Sequence, residues 1–151
     1  MKYTTDKKEI NDRLFLINER VKSIKYYIDK DMALKPLIYL GDVLKEYGDE
    51  LKDLEKEYEA LNRLLKYNKI TWERVIVDGE DDYGRAIKWT QFYKSEYGTI
   101  EVWGGCQYDE DHKYLVKHYD EKYKHVVNAY FRYLKDAKVY VVAEKPQQSV
   151  K

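Results

Sequence analysis

The 151-residue sequence contains one cysteine, two prolines and no long apolar run. Because Cys106 has no second cysteine with which to form an intramolecular disulfide, the sequence predicts a protein of a reducing compartment. No apolar run follows the polar first residues or approaches the ~20 residues of a membrane-spanning helix, so we expect neither a signal peptide nor a membrane anchor. These absences predict a cytoplasmic protein that does not act at a membrane.

The sequence also lacks a net charge, because 28 basic residues are balanced by 28 acidic ones. The balance persists locally: residues 1–68 carry 14 of each sign, and residues 69–151 carry 14 of each. Proteins that bind nucleic acid by bulk electrostatics have a basic excess. The sequence therefore favours a protein partner over nucleic acid. Binding of nucleic acid would require a local basic patch.

No motif with a known catalytic mechanism is present. The sequence has no phosphate-binding or dinucleotide-binding glycine loop, no zinc-protease motif, no nucleophile elbow and no CxxC pair. His118 and His125 are seven residues apart, so on the helix predicted below they would lie about 10 Å apart along the axis, too far for one ion. We expect no cofactor, no metal and no catalytic residue.

The stretch WGGCQYDEDH, from Trp103 to His112, gathers the cysteine, a histidine and three carboxylates. The nearby negative charges oppose the lowered thiol pKa that a catalytic cysteine needs. A helix that begins here explains the acidic residues, with Asp109 or Asp111 as its N-cap and the cluster at its positive end.

The first half of the sequence shows a heptad pattern, in which large apolar residues recur at alternating spacings of three and four. This pattern predicts two helices, each with a narrow apolar stripe. Thr5 or Asp6 is placed as the first N-cap, with Glu9 completing a capping box. Pro36 separates the helices, whereas the register passes through Gly48 and predicts a continuous second helix. The stripes are Ile10, Leu14, Ile17, Val21, Ile24 and Ile28, then Leu37, Leu40, Leu44, Tyr47, Leu51, Leu54, Tyr58, Leu61 and Leu65.

Two such helices joined by a short turn are expected to pair as an antiparallel, coiled-coil-like hairpin, which we assign to residues 1–68. Self-association through the same stripe is the alternative. The first predicted helix is the shorter, so part of the second would stay uncovered and would meet the second half or another copy. We therefore expect a homo-oligomer, at least a homodimer.

From residue 69 onwards the apolar period changes. Residues 70–77, 85–94 and 99–103 are rich in β-branched and aromatic residues and predict three strands of a meander. Residues 111–137 predict an amphipathic helix whose apolar face is largely tyrosine and valine. Residues 138–144 (KVYVVAE) predict a last strand, and residues 146–151 a tail. The fold class is α+β: the hairpin, then a β-β-β-α-β antiparallel sheet module (residues 69–145) with one packed helix.

Trp72, Trp89 and Trp103 fall one to each predicted strand. If they share a face, they form a core against the predicted helix; any that point outwards make an aromatic platform beside cationic side chains. Such a platform suits a nucleotide base or single-stranded nucleic acid, and aromatic and arginine anchors are equally typical of protein interfaces. The candidate binding residues are Arg74, Arg85, Lys88, Trp89, Tyr93, Glu101 and Trp103.

These patterns favour a non-enzymatic interaction protein, with an oligomerising helical module and an α+β module that presents the recognition surface. The small size, the many tyrosines and lysines and the missing motifs are typical of viral or phage accessory proteins; the partner would then be a macromolecule in the host cytoplasm. Two alternatives stay open. One is a metal-dependent nuclease that uses Glu101 with the acids of residues 78–82 or with Glu73, and the other is an oligomeric nucleotide-binding protein.

Overall fold

The computed structural model describes residues 3–34, 40–103 and 112–147, and for residues 31–34 and 40–43 it describes the backbone alone. The chain divides into two compact units: one runs from Thr4 to Leu65, and the other joins the N-terminal residues up to Tyr3 with the chain from Lys66 onwards. The first unit is helical, and the second combines an antiparallel sheet with a helix. The predicted α+β class is confirmed.

The first unit is a hairpin of two packed helices, α1 (Lys7–Leu34) and α2 (Leu40–Leu65), as predicted. Asp6 is the N-cap of α1, because its Oδ1 accepts hydrogen bonds from the N–H groups of Lys8 (2.9 Å) and Glu9 (3.1 Å). The Asp6 N–H donates to Thr4 Oγ1, which replaces the Glu9 carboxylate of the predicted capping box. α2 continues through Gly48 without a break.

Each predicted apolar stripe is buried in part, and at the end of α2 the buried leucine is Leu64 rather than the predicted Leu65. Its most buried members are Ile10, Leu14, Ile17, Ile24, Leu54 and Leu61. The helices are 28 and 26 residues long, so the predicted overhang of the second helix is absent from the described part of the chain. Pro36 and Leu37 lie outside the described residues.

The second unit is a five-stranded antiparallel meander followed by a helix. Its strands are β1 (Glu73–Glu80), β2 (Ala86–Ser95), β3 (Gly98–Val102), β4 (Tyr114–Asp120) and β5 (His125–Phe131), in that order across the sheet, and its helix is α3 (Leu134–Glu144). A short 3₁₀ turn (Tyr67–Lys69) precedes β1. The predicted order β-β-β-α-β is therefore wrong in its last two elements.

The helix predicted for residues 111–137 is instead the β4–β5 hairpin and the start of α3. Asp120 Oδ1 accepts a hydrogen bond from the N–H of Lys122 (2.9 Å), and Lys124 adopts a left-handed φ of 53°. These two features reverse the chain. Once the chain reverses there, the valines and tyrosines on either side pair across two strands, which their β-branched and aromatic side chains favour.

The strand predicted for residues 138–144 is the body of α3. Its buried residues, Ala137, Val139, Val141, Val142 and Ala143, surround most of the helix. Buried positions that are spread around most of a helix give little helical periodicity in its sequence. Packing against β3, β4 and β5 overrides the preference of valine for strands.

α3 covers one face of the sheet, which we call the helix face. Ile100 and Val116 point from this face into the core and are fully buried with Ala137 and Val141 of α3. Trp72, Tyr93 and Phe131 pack against them. Side chains alternate along a strand, so the neighbours of these residues in each strand lie on the opposite face.

Candidate functional site

A β-bulge in β2 decides which of the predicted site residues share a surface. Val75 pairs with Phe92, but the next residue, Ile76, pairs with Thr90, so the ladder skips Gln91. One extra residue reverses the alternation of side chains beyond it. Trp89, and Ile87 with it, therefore point to the opposite face, whereas Tyr93 points to the helix face. Simple alternation along the strand would place Ile87, Trp89 and Tyr93 on one face, but the bulge divides them between the two faces.

The candidate binding residues are consequently divided. Arg74 and Tyr93 are paired across β1 and β2 in one row with Ile100, and Lys88 lies on the same helix face. Trp89, Glu101 and Trp103 lie on the opposite face, and Arg85 lies in the β1–β2 turn. Trp72 belongs to the core cluster of the helix face, so the three tryptophans do not share a face.

Tyr93 takes part in holding α3 on the sheet. The Lys138 ammonium of α3 lies 5.3 Å from the Trp72 ring centroid and 5.4 Å from that of Tyr93. A lysine between two aromatic faces gains a cation–π attraction to each. Both rings are only partly buried and pack against the core, so they serve the fold rather than a free platform.

Arg85 is held within its own turn. Its Nε donates to Asp81 Oδ2 at 2.7 Å, and its guanidinium lies 5.2 Å from the Tyr83 ring centroid. The backbone N–H of Arg85 also donates to Asp81 Oδ1; this bond, followed by those from the Tyr83 N–H and the Arg85 side chain, lowers the pKa of Asp81 below its usual 3.8. Gly84, with φ of 75°, completes the reversal.

The face opposite α3 exposes large apolar side chains, and we call it the aromatic face. Its exposed members are Ile87, Trp89, Trp103, Val126 and Tyr130. The Trp89 ring packs on the backbone of Gly79, where no Cβ would fit beside it. The Tyr130 ring makes edge contacts with the rings of Trp103 (centroids 6.0 Å apart) and His112 (4.4 Å). The sequence prediction missed Tyr130 and Val126 because it placed them on the buried face of a helix.

Two lysines of the described strands, Lys94 of β2 and Lys117 of β4, point to the aromatic face. Lys117 Nζ lies 3.6 Å from Glu101 Oε2, and Lys94 Nζ lies 5.7 Å from the Phe92 ring centroid. Arg74 and Lys88 point to the other face, where Lys88 Nζ lies 3.7 Å from Asp78 Oδ1. Among the described residues, the two lysines of the aromatic face do not form the continuous positive groove with which proteins hold single-stranded nucleic acid.

The acids considered for a nuclease do not converge. Glu101 and Asp78 lie on opposite faces of the sheet, and Glu73 is in β1, two strands from Glu101, which amounts to about 10 Å. Within the described ranges, no group of three His, Cys, Asp or Glu residues could hold a metal ion. Cys106, Asp109 and Asp111 lie outside those ranges.

The helical hairpin has two unlike sides. On one side, Arg13 bonds to Glu57 and Arg20 to Glu50, each through two hydrogen bonds of 2.7–3.1 Å. On α1, Lys25 lies five positions after Arg20, which is about 140° around a helix, and it borders a groove on the other side. The groove has a volume of about 350 Å³ and is lined by Ile17, Asn18, Val21, Lys25, Leu51, Leu54, Glu55 and Tyr58.

In the part of the chain that the structure covers, no helix has both the length and the apolar character that a membrane span requires. No protein-family model matches the sequence, and neither a curated protein nor a solved structure matches it significantly.

Proposed function

We propose that this chain is a non-enzymatic interaction protein that binds a protein partner through the aromatic face and forms a homodimer through the groove of its helical hairpin. The observation that carries the proposal is the exposure of Trp89 (46%), Trp103 (37%) and Tyr130 (37%) on the sheet face opposite α3. An antiparallel sheet that buries one face on a core normally presents polar residues on the other.

Aromatic side chains of this kind are the usual anchors of protein interfaces. Their rigid rings lose little entropy on binding and bury a large apolar area. Within the five described strands, only Lys94 and Lys117 place positive charge on this face, and Glu101 neutralises Lys117. So little positive charge favours a protein partner over a phosphate backbone. Exposed apolar patches on a folded chain mark interaction sites in general.

Self-association through the hairpin is supported by its groove. Val21, Leu51 and Tyr58 line the groove and are only partly buried, and the Arg–Glu pairs close the other side of the hairpin. Two helices alone leave such a stripe half covered, and a second hairpin would complete a four-helix bundle. The composition supports the further proposal that the chain is a viral or phage accessory protein whose partner is a host macromolecule.

The partner proposal is tested by affinity capture from the native cytoplasm with three baits: the wild type, Trp103→Ala, and Tyr83→Ala as the matched control. Tyr83 is an aromatic residue that is 83% exposed and lies in the β1–β2 turn, away from the aromatic face. We expect a partner that the wild type and Tyr83→Ala retain and Trp103→Ala loses. Identical captured proteins for all three baits would contradict the role of the aromatic face.

The homodimer is tested by light scattering on the wild type, Val21→Glu and Leu16→Glu. Val21 lines the groove, whereas Leu16 is 56% exposed on the same helix and does not line it. We expect Leu16→Glu to keep the mass of the wild type and Val21→Glu to have half of that mass, at unchanged helicity by circular dichroism. An 18.3 kDa wild type at tens of micromolar protein would refute the homodimer.

A further inference from the structure

The two edges of the sheet differ in how they are protected. β1 and β5 are the edge strands. Edge strands expose unpaired backbone groups, and proteins shield them with charged side chains, proline or bulges. β1 carries Glu73, Arg74, Asp78 and Glu80 and lies beside the bulge of β2. β5 has the sequence HVVNAYF, which contains no Lys, Arg, Asp, Glu or Pro.

β5 is also regular and exposed. All its residues, from His125 to Phe131, pair with β4 without a register shift. Val126 and Val127 are 48% and 40% exposed, although they point to opposite faces of the sheet. Because backbone groups alternate in direction along a strand, half of those in β5 point away from β4. The edge thus presents straight backbone between apolar side chains.

From this edge we infer a second self-association surface: β5 pairs antiparallel with β5 of another copy, about a two-fold axis at Asn128. This surface is independent of the hairpin groove. Centred there, the register pairs all seven residues of the strand. It sets Val126 opposite Tyr130 of the second copy, Val127 opposite Ala129, and His125 opposite Phe131.

The side chains that this register sets opposite one another are the reason for proposing a second copy of the chain as the partner of β5. Aromatic and β-branched side chains directly opposite one another stabilise an antiparallel pair, whereas like charges destabilise it. No formal charge opposes another within β5. The flanking cations, Lys124 in the β4–β5 turn and Arg132 after the strand, stand at the two ends of the register and limit the pairing to β5 itself. Screening of these two like charges by salt should strengthen the contact.

The position of Asn128 on the axis allows a sharp test. Opposite residues of an antiparallel pair have Cβ atoms about 4.5–5.5 Å apart, close to the spacing of a disulfide. In a Cys106→Ser background, Asn128→Cys should form a cross-linked species of 36.6 kDa, twice 18.3 kDa, in a mild redox buffer. The matched control is Ile76→Cys, at a residue that is 47% exposed on the other edge strand. We expect cross-linking of Asn128→Cys at least tenfold faster than that of the control.

A second pair of variants tests the same edge without cysteine. Val126→Lys places a charge on β5 and Ile76→Lys places one on β1, at residues of nearly equal exposure, 48% and 47%. Val126→Lys should abolish the Asn128→Cys cross-link, whereas Ile76→Lys should preserve it. A higher salt concentration should speed the cross-linking of Asn128→Cys itself. Equal cross-linking rates at positions 128 and 76, or a cross-link that survives Val126→Lys, would overturn the inference.

Failure of the groove and failure of the β5 edge give different results. Val21→Glu in the groove should leave the Asn128→Cys cross-link intact. If Val21→Glu removes it, β5 is not an interface of its own and the inference is overturned while the homodimer through the groove stands. If Asn128→Cys forms the cross-link and Val21→Glu does not change the mass in solution, the proposed groove fails and the β5 edge stands.

Discussion

Arg13 and Glu57 join α1 to α2 through two parallel hydrogen bonds, from Nε to Oε1 at 2.7 Å and from Nη2 to Oε2 at 2.9 Å. Arg20 and Glu50 repeat this arrangement seven residues later in α1 and seven residues earlier in α2. The sum of the two residue numbers is 70 in both pairs (13 + 57 and 20 + 50), which defines the antiparallel register of the hairpin. In both pairs the hydrogen bond to glutamate is the main cause that raises the pKa of the arginine.

We predict that the Arg13–Glu57 pair fixes the register more than it stabilises the hairpin. The arginine side chain is 48% exposed and that of the glutamate 12%, and exposed pairs contribute about 0.2–1 kcal/mol. Arg13→Glu should lower the free energy of unfolding because it places two carboxylates together, and the exchanged pair Arg13→Glu/Glu57→Arg should recover most of the loss. Urea unfolding of the single and double variants measures this coupling. A double variant no more stable than Arg13→Glu would contradict the prediction.

Two glycines should respond to alanine in opposite directions. Gly48 lies inside α2 with nothing within 4 Å of an added Cβ, so Gly48→Ala should raise the free energy of unfolding by about 0.5–1 kcal/mol. Gly79→Ala should lower it by about 1–3 kcal/mol, because the new methyl group would meet the Trp89 ring. Thermal unfolding measures both changes, and tryptophan fluorescence should shift only in Gly79→Ala. The same sign for both variants would refute the described packing of Trp89.

Two isoleucines on the helix face should differ in their contribution to stability. Ile100 is fully buried under α3, whereas Ile76 is 47% exposed on β1. Ile100→Ala should cost about 2–5 kcal/mol because it leaves a cavity in the core. Ile76→Ala should change the stability by less than about 0.5 kcal/mol. Equal costs by chemical denaturation would mean that α3 does not cover β3 as described.

Two tyrosines should make the sheet unit sensitive to alkali. Burial raises the pKa of Tyr67 and of Tyr140 above the ordinary 10.0, and the carboxylates of Asp136 and Glu144 respectively raise it further. Because the folded state keeps these phenols protonated, their contribution to stability is complete below pH 10.0 and falls as pH rises through the raised values. The double variant Tyr67→Phe/Tyr140→Phe should lose less stability in alkali than the wild type. Tyr83→Phe, in the exposed turn, serves as the control, and identical pH profiles for all three proteins would contradict the prediction.

Local patterns in the sequence were sufficient to predict the hairpin and the first three strands. The heptad spacing from Ile10 onwards identified α1. Of the two predicted N-caps, Thr5 and Asp6, the structure confirms Asp6. The turn before Arg85 and the one before Gly98 placed β2 and β3 to within one residue at each end. These features depend on nearest neighbours in the chain, so they can be recognised without tertiary information.

The later elements, β4, β5 and α3, and the arrangement of the candidate site depend on tertiary contacts that the periodicity of the sequence does not encode. Val116, Tyr119, Tyr123, Val126 and Tyr130 recur at spacings of three and four, which suits a helix, yet the turn at Asp120 makes them residues of two strands and their connection. The valines of α3 are helical only because the sheet and the rest of the core surround them. The bulge at Gln91 divides the candidate site between the two faces of the sheet. Because a bulge leaves no distinct signal in the sequence of an otherwise regular strand, this division could not be predicted.

The hydrogen bond from the Tyr3 hydroxyl to Glu144 Oε1 (2.6 Å) spans 141 positions of the chain and bears on the order of folding during synthesis. Strands that neighbour one another in sequence can pair as soon as they leave the ribosome, and such local contacts form fast. Tyr3 is made before all five strands of the sheet, but its partner follows only after β5 is complete. A residue that is translated ahead of every strand is therefore among the last to reach its place in the sheet unit.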